Sequence, residues 1–224
     1  MKLYTHPVST TSRPVMQFLA DAGIACDLEV VDIFSGAHHQ PAYLKVNPNK
    51  MIPVLEDGDF RLTESSAILK YLADKVNSPA YPKDLKTRAR VNEMMDWLNA
   101  NLYRDFGYGL IYPQLLDHHK RPSAEGQAMA VRWGKEKSRE WLQALNDHWI
   151  GSKNQYLVGN DVTIADYLGI SFVTIGEFVK ADFSKYPNVK RWIDTMKRRP
   201  SYAKIYEAFN GFVASLKDKK FETI

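Results

Sequence analysis

The chain has 224 residues, 45% hydrophobic and 25% charged, with a formal net charge of +4, a composition typical of a soluble globular protein with one domain or two small ones. A charge this mildly basic does not favour nucleic acid as a partner, and the basic runs at residues 197–199 and 217–220 are interpreted as solvated helix ends. The single cysteine, Cys26, excludes an intramolecular disulfide and a zinc cluster of cysteines. No apolar run resembles a signal peptide or is long enough to span a membrane, which predicts a cytoplasmic protein with no membrane partner.

The first third of the sequence alternates strand and helix signals. Apolar residues recur at helical spacing around Pro14, which fits only in the first turn of a helix, and Gly23 is expected to end that helix. Short runs rich in β-forming residues flank it. The predicted order is strand, helix, strand and short helix, at residues 2–5, 13–22, 27–31 and 41–46.

The stretch from residue 47 to residue 69 begins with a predicted hairpin. Two apolar runs, at residues 54–56 and 60–62, flank Asp57-Gly58, a dipeptide suited to the positive φ angles of a tight turn. Pro53 opens the first of these strands, where its missing N–H does no harm to the ladder.

A helix start follows the hairpin. Ser65 is predicted to cap a helix that runs to about Lys75. Extended backbone at Met51 and Ile52 therefore faces a helix N-terminus. These two surfaces suit a small peptide that carries carboxylates.

Beyond a linker at residues 76–83, which contains two prolines, every segment has helical spacing. Two apolar stripes are predicted, one of Val91, Met94, Met95, Leu98 and Leu102 and one of Trp133, Trp141, Leu145 and Trp149. Residues 163–166 have the pattern of a capping box, and Pro187 and Pro200 are predicted helix starts.

A βαβαββα unit of the thioredoxin type over residues 1–78, joined to an all-helical domain over residues 84–224, resembles the fold of cytosolic glutathione S-transferases. Four motifs carry the resemblance in the order that the family has them, at residues 3–13, 47–55, 62–68 and 163–167. The first motif is similar to the theta and delta classes, in which a serine just past the first strand activates glutathione.

The resemblance implies that Ser9 ionises the thiol of glutathione. A hydroxyl that donates to sulfur stabilises the reactive thiolate, and the N-terminus of the helix near Arg13 would add its positive dipole end. Thr10 and Tyr4 are alternative donors, because a one-residue shift here is easy and other classes use a tyrosine near the end of this strand. From the residues alone, the run 9–12 favours a cap-and-turn cluster.

The family pattern also implies how the peptide backbone of glutathione binds. Ile52-Pro53, with the proline in cis, would present its backbone to the cysteinyl amide. Glu64 and Ser65 would hold the γ-glutamyl ammonium and carboxylate. Two structural alternatives remain open. Pro53 can simply be a proline that starts a strand, and Ser65 can simply be a helix cap.

His38, His39 and Lys50 are the candidates for the glycine carboxylate of glutathione, and His38 best matches the theta pattern. Two adjacent histidines could also suggest a metal site. Neighbouring side chains rarely point the same way and no third ligand is near in sequence, so no metal is expected.

The electrophile is expected to bind between the domains. An aromatic run with two glycines at residues 103–112 indicates an irregular segment, in which Tyr108 and Tyr112 are the candidate pocket residues. Ordinary interdomain core is the equal alternative. The theta pattern often has an acid and a basic residue in this helix. Here the nearest positions, 99–101 and 103, carry neither, and Arg104 and Asp105 lie further on, which disfavours sulfatase-like and dehalogenase-like chemistry. His118-His119 is predicted to be solvated surface.

The leading hypothesis is a transferase that conjugates the glutathione thiolate to a small apolar electrophile, with glutathione as co-substrate and no cofactor. A ligand-binding protein of the same fold with little turnover and a glutathione-dependent peroxidase are the alternatives. Cys26 lies away from the active-site segment, and residues 9–13 lack the cysteine of the zeta pattern, so thiol–disulfide exchange and isomerisation are disfavoured. The resemblance also implies a cytoplasmic homodimer with a role in detoxification.

Overall fold

A four-stranded mixed sheet forms the first third of the chain in a computed structural model that describes all 224 residues. The strands are β1 (Lys2–Thr5), β2 (Asp27–Val30), β3 (Val54–Asp57) and β4 (Phe60–Leu62), in the spatial order β2-β1-β3-β4. β1 pairs in parallel with β2 and antiparallel with β3. Leu3 lies opposite Leu55 in the register of β1 and β3, and both are fully buried, so the centre of the sheet is anchored in the core.

The helices are α1 (Arg13–Asp21), α2 (Pro41–Leu44), α3 (Ser65–Lys75), α4 (Leu85–Trp97), α5 (Tyr112–Leu115), α6 (Ala124–Ala144), α7 (Ile164–Thr174), α8 (Pro187–Lys197), α9 (Tyr202–Ile205) and α10 (Glu207–Ser215). Short 3₁₀ turns lie at Ala37–His39, Asp117–His119, Ile175–Val179 and Phe183–Lys185. None of these helices combines the length and the apolar character that crossing a membrane requires.

Local sequence explains the order of the first elements. Pro14 lies in the first turn of α1, where a missing N–H costs nothing, and Gly23 takes φ +64° just past the end of the helix. Gly58, with φ +65°, makes the turn between β3 and β4. The βαβαββα order followed by helices confirms the predicted fold class.

One hydrophobic core connects the sheet to the helices. A single cluster of 46 buried hydrophobic residues extends from Leu3 in β1 to Leu216 near the C-terminus, so the two parts pack as one body. Every residue of α7 is buried. Its first turn is held by the predicted capping box, because the Asp166 carboxylate accepts hydrogen bonds from the N–H of Thr163 at 2.8 Å and from its hydroxyl at 3.0 Å.

The helix that begins as α4 continues in a wider form. Residues Leu98–Ile111 make a 14-residue π-helical segment, in which the N–H of Tyr112 reaches back to the carbonyl of Gly107. Gly134 of α6 packs against the backbone of Gly109 so closely that a Cβ atom there would collide with it. The predicted irregular aromatic run is therefore a broad helix pressed backbone-to-backbone against α6.

Three local predictions are wrong. Ser65 does not cap α3, because it is the first residue of that helix and the N-cap position belongs to Glu64, which makes no side-chain capping bond. Pro200 does not start a helix, because α9 begins at Tyr202. Trp133 does not pack against the core with the other three residues of its predicted apolar stripe, since 61% of its surface is exposed.

Candidate functional site

A cleft of about 220 Å³ opens between the end of β1 and the helices. Its sheet side includes Ser9, Thr10, Thr11 and Ile52. Its helical side is mostly aromatic and aliphatic, comprising Tyr103, Tyr108, Tyr112, Leu115, Leu116, Phe178 and Phe212. We call these the sheet wall and the helical wall.

Ser9 lies in a turn that backbone hydrogen bonds close on both sides. Its N–H donates to the carbonyl of His6 at 2.9 Å, and its own carbonyl accepts from the N–H of Arg13 at 3.1 Å. The N–H of Ser12 donates to Ser9 Oγ at 3.2 Å, so the run forms the expected turn, while Ser12, the N-cap residue of α1, makes no side-chain capping bond. Only 9% of Ser9 is exposed, yet the residue lines the cleft. The serine thus has both a structural role and access to a ligand.

The proton of the Ser9 hydroxyl has a defined direction. Thr11 Oγ1 donates its one proton to the carbonyl of Ile52 at 2.9 Å. In the 3.2 Å hydrogen bond between Ser9 Oγ and Thr11 Oγ1, Thr11 is therefore the acceptor and Ser9 the donor. Thr11 ties the Ser9 turn to the Ile52 segment, a role that the sequence analysis missed because this threonine stood in a run of similar hydroxyls.

The Ile52-Pro53 peptide bond is cis, as the resemblance implied. The carbonyl of the preceding residue, Met51, accepts hydrogen bonds from the Tyr43 hydroxyl at 2.7 Å and from Asn47 Nδ2 at 2.8 Å. Ile52 lines the cleft, whereas Pro53 is buried behind it. Tyr43 and Asn47 were not predicted as supporting residues, although Asn47-Pro48 belongs to the motif that carried the resemblance.

The three candidate cations do not lie together. His38 and Lys50 line the cleft, while His39 is exposed outside its lining and contacts His38 with ring centroids 4.0 Å apart. Burial lowers the pKa of His38, and the neighbouring His39 and His118 lower it further. His38 is therefore neutral at pH 7 in the free protein.

Glu64 and Ser65 lie outside the cleft lining, at the N-terminus of α3. Glu64 is exposed in the left-handed region with φ +65°, and Ser65 is buried. The first turn of α3 contacts the π-helical segment, because Asn99 Nδ2 donates to Ser66 Oγ at 2.9 Å. The structure thus places Glu64 and Ser65 next to the segment that contributes to the helical wall, outside the cleft lining.

A chain of hydroxyls joins the helical wall to the sheet wall. Tyr112 Oη donates to Thr10 Oγ1 at 2.8 Å, and Tyr103 Oη lies 2.8 Å from Tyr112 Oη. The Tyr103 ring stacks on Phe172 of α7 at a centroid distance of 4.0 Å, which fixes its position. Tyr108 is the most accessible of the three tyrosines, with 37% of its surface exposed.

His119 departs from the prediction that the pair 118–119 is solvated surface. His118 is exposed, but both histidines line the cleft, and His119 is half-buried against Tyr108 and Tyr112 at ring distances of 5.3 and 5.5 Å. Burial lowers the pKa of His119, and the charges of His118 and Arg121 add to this effect. Sequence offered no signal for this placement, because it depends on how α5 ends.

The electrostatics of the cleft favour an anion. Its lining contains the cationic side chain of Lys50 but no aspartate or glutamate. Beneath the Ser9 turn, the Arg13 guanidinium is fully buried, 3.8 Å from the ring of Phe209 and 4.6 Å from that of Tyr206. Burial lowers the pKa of Arg13. Arg13 contacts the turn through Nε, 3.4 Å from the Ser9 carbonyl, and does not line the cleft.

Two other residues considered as reactive groups lie elsewhere. Tyr4 is half-buried in β1 beside Tyr43, at a ring distance of 6.1 Å, and does not line the cleft. Cys26 is half-buried near the start of β2, where it packs against the hydrophobic core, and it is also absent from the lining. The hydroxyls of Ser9, Thr10 and Thr11 are therefore the groups available on the sheet wall.

Comparisons with known proteins agree along the chain. Residues 1–74 match the model of the glutathione S-transferase N-terminal domain, and residues 112–200 match that of the C-terminal domain. Human glutathione S-transferase theta-2 is 36% identical over 179 residues, which is 76% of this chain and 69% of that protein.

Solved structures extend the likeness to the whole fold. A delta-class glutathione transferase from Nilaparvata lugens superposes with a TM-score of 0.82 at 32% identity, covering 96% of this chain and 98% of the other. Human glutathione transferase theta-2, in a complex with glutathione and an unknown ligand, gives a TM-score of 0.84 at 27% identity over 100% of this chain and 93% of the other.

Proposed function

The chain belongs to the glutathione S-transferase family, and on that premise we propose that it activates glutathione through the Ser9 hydroxyl and joins the thiolate to an apolar electrophile. One observation carries this proposal. The Ser9 hydroxyl lines a cleft that has an aromatic and aliphatic wall opposite and no carboxylate in its lining.

Ser9 suits thiolate stabilisation because its hydroxyl can exchange its present hydrogen-bond acceptor for the sulfur. In the free protein it donates to Thr11, a neutral hydroxyl. Turning toward a thiolate exchanges that neutral hydrogen bond for a charge-assisted one, which is roughly twice as strong. The Ser12 N–H continues to donate to Ser9 Oγ, which polarises the hydroxyl further. Donation to sulfur lowers the thiol pKa from about 8.5 toward the range of roughly 3.5–7.5.

The reaction then needs no further group from the protein to proceed. The thiol proton leaves to solvent, and the thiolate sulfur forms a bond to an electrophilic carbon. An organic halide loses its halide with the bonding electron pair. An activated alkene forms a carbanion that takes a proton from water. The protein contributes proximity and stabilisation of the thiolate.

The peptide part of glutathione would lie along the sheet wall. We assign the Ile52 backbone to its cysteinyl amide, with Pro53 holding that backbone in place, and His38 and Lys50 to its glycine carboxylate. Its γ-glutamyl end would reach out of the cleft to Glu64 and to Ser65 at the N-terminus of α3. The similar human theta-2 structure is a complex with glutathione, which supports glutathione as the ligand of this chain.

The apolar electrophile would bind against the helical wall, with Tyr108 and Tyr112 among its contacts. Twelve of the 19 residues that line the cleft are hydrophobic, which suits an apolar reactant beside a charged tripeptide. The domain boundaries at residues 78 and 84, the homodimer and the cytoplasmic location remain predictions.

Steady-state conjugation of an aryl halide and of an activated alkene tests this assignment. Ser9→Ala is expected to lower kcat/KM by about 100-fold, the cost of removing one preorganised donor, with little change in the dissociation constant of glutathione. Ser9→Thr keeps a hydroxyl and is the matched control. Full turnover by Ser9→Ala would overturn the role of the serine, and failure of the wild type to bind glutathione would overturn the function itself.

A further inference from the structure

Thr10 carries a hydroxyl proton that nothing in the protein accepts. Tyr112 Oη donates to Thr10 Oγ1 at 2.8 Å, so this oxygen is the acceptor in its one side-chain hydrogen bond. A threonine hydroxyl has one proton to donate as well as lone pairs to accept with. Only 7% of Thr10 is exposed, but the residue lines the cleft next to Ser9. A free donor therefore faces the space where a thiolate would lie.

The hydroxyls behind Thr10 all donate in one direction. Tyr112 has already committed its single proton to Thr10, so in the 2.8 Å contact between Tyr103 and Tyr112 the donor is Tyr103. The sequence Tyr103 to Tyr112 to Thr10 is thus a relay of donors that ends at the cleft. Successive hydrogen bonds of the same direction polarise one another, which makes the last hydroxyl a better donor.

Both phenols remain protonated at neutral pH. Burial raises the pKa of Tyr112 to about 12 and raises that of Tyr103 well above its ordinary value. Neither tyrosine therefore competes with a thiol for the negative charge. They supply hydrogen-bond donors in a buried setting, where such donors have the largest effect on a nearby anion.

The Thr10 backbone is fixed from the other side. Ser171 Oγ of α7 donates to the Thr10 carbonyl at 2.6 Å, and every residue of α7 is buried. Thr10 is thus held by α7 through its carbonyl and by the helical wall through its hydroxyl. Ser9, in contrast, must release Thr11 before it can donate to a ligand.

We infer that Thr10 is a second donor to the glutathione thiolate, and that Tyr112 and Tyr103 act as positioning residues that orient and polarise its hydroxyl. The inference rests on the proposed function and deepens it. In this arrangement the helical wall, which would hold the electrophile, also helps to ionise the thiol. Electrophile binding and thiol ionisation are thereby coupled through the hydroxyl groups of Tyr103, Tyr112 and Thr10.

The test is the pKa of the enzyme-bound glutathione thiol, measured from the ultraviolet absorbance of the thiolate as a function of pH. Thr10→Val, which keeps the shape and removes the hydroxyl, is expected to raise this pKa by about one, a tenfold loss of thiolate relative to thiol at low pH. Thr10→Ser restores a hydroxyl and is expected to return the pKa most of the way. Tyr112→Phe is expected to raise the thiol pKa by less than Thr10→Val does, because the Thr10 hydroxyl remains but no longer accepts a hydrogen bond from Tyr112.

Tyr156→Phe is the control and should leave the thiol pKa unchanged, because this half-buried tyrosine lies outside the cleft lining and makes no hydrogen bond with Thr10 or Tyr112. The Ser9→Ala, Thr10→Val double variant is expected to bring the thiol pKa close to that of free glutathione. The inference would be overturned if the thiol pKa in Thr10→Val equalled that in the wild type while the thiol pKa in Ser9→Ala was raised. Ser9 would then be the single donor. A wild-type thiol pKa equal to that of free glutathione would instead overturn the proposed function.

Discussion

The two walls of the cleft are built in different ways. The sheet wall is positioned by short hydrogen bonds between main chain and side chain, such as Thr11 to the Ile52 carbonyl at 2.9 Å and Asn47 to the Met51 carbonyl at 2.8 Å. The helical wall is positioned by packing, with Tyr103 stacked on Phe172 and the π-helical segment pressed against Gly134 of α6. Hydrogen bonds therefore fix the polar groups of the sheet wall, whereas packing against the core fixes the apolar surfaces of the helical wall.

This difference matches the two reactants of the proposed reaction. A tripeptide of constant structure needs donors and acceptors at fixed points, which main-chain hydrogen bonding supplies. Varied apolar electrophiles need a surface of suitable shape, which aromatic and aliphatic packing supplies. The walls should therefore respond differently to substitution, and three further experiments separate them.

The largest effect is expected for Asp166→Ala, which removes the support that both walls share. The Asp166 carboxylate is fully buried and also accepts from Leu157 N at 2.8 Å and Trp192 Nε1 at 2.9 Å. Helix α7 contacts both walls, because Ser171 donates to the Thr10 carbonyl and Phe172 stacks on Tyr103. Four donors would be left without a partner, so the free energy of unfolding should fall by about 3–5 kcal/mol in urea denaturation.

Asp161→Ala, at an exposed position in the preceding loop, is the control and should change stability by less than about 0.5 kcal/mol. If Asp166→Ala cost no more than this control, the capping box would not be what holds α7.

A smaller effect, confined to the helical wall, is expected for Gly134→Ala. The added Cβ would collide with the backbone of Gly109 and displace the π-helical segment, at a cost of about 1–3 kcal/mol in the free energy of unfolding. The KM for an apolar electrophile should rise while the dissociation constant of glutathione stays unchanged.

Gly211→Ala in α10 is the matched control, because a Cβ there meets nothing within 4 Å and the change should stabilise the helix by about 0.5–1 kcal/mol. A parallel loss of glutathione affinity in Gly134→Ala would show that the walls are not separable.

The smallest effect is expected on the sheet wall, from the protonation of His38. Because burial lowers the pKa of His38, its positive charge develops only as the pH falls below about 6.5. Binding of S-methylglutathione, which has no thiol to ionise, should therefore strengthen by about two- to fivefold between pH 7.5 and 5.5. Calorimetric titration of the wild type and of His38→Gln measures this change.

His38→Gln should show little pH dependence, whereas His39→Gln, which replaces the exposed neighbour outside the lining, should behave as the wild type. A pH dependence that survives in His38→Gln would rule out His38 as the responding group and assign the effect to another residue of the lining, such as His119.

Sequence reasoning succeeded where a short segment sets its own conformation. The order of the sheet elements, the turn at Gly58, the helix that starts beside Pro14 and the capping box at residues 163–166 were all predicted, since each depends on neighbours within a few residues. The predicted cap at Ser65 failed by one residue, because the backbone at Glu64 adopts a positive φ that its residue type does not signal.

The helical wall could not be predicted to the same depth. The aromatic run at residues 103–112 was recognised as irregular, but spacing alone could not distinguish a pocket from interdomain core. His119 was placed at the surface, although it lines the cleft, because the path of the chain after α5 depends on packing against α6. Trp133 was assigned to an apolar stripe but is exposed, since helical periodicity shows which residues share a face and not whether the whole face is covered.

Ser9 shows most clearly which features local sequence determines and which depend on the tertiary structure. The sequence by itself determined that a hydroxyl-rich turn would follow β1 and precede the N-terminus of a helix, because proline, glycine and alternating apolar residues fix those local boundaries. Only the tertiary structure decided the direction of each hydrogen bond, with Ser9 donating to Thr11 and Thr10 accepting from Tyr112, which leaves the Thr10 proton without an acceptor in the protein. Those directions depend on partners that folding brings from distant parts of the chain, and no local pattern encodes them.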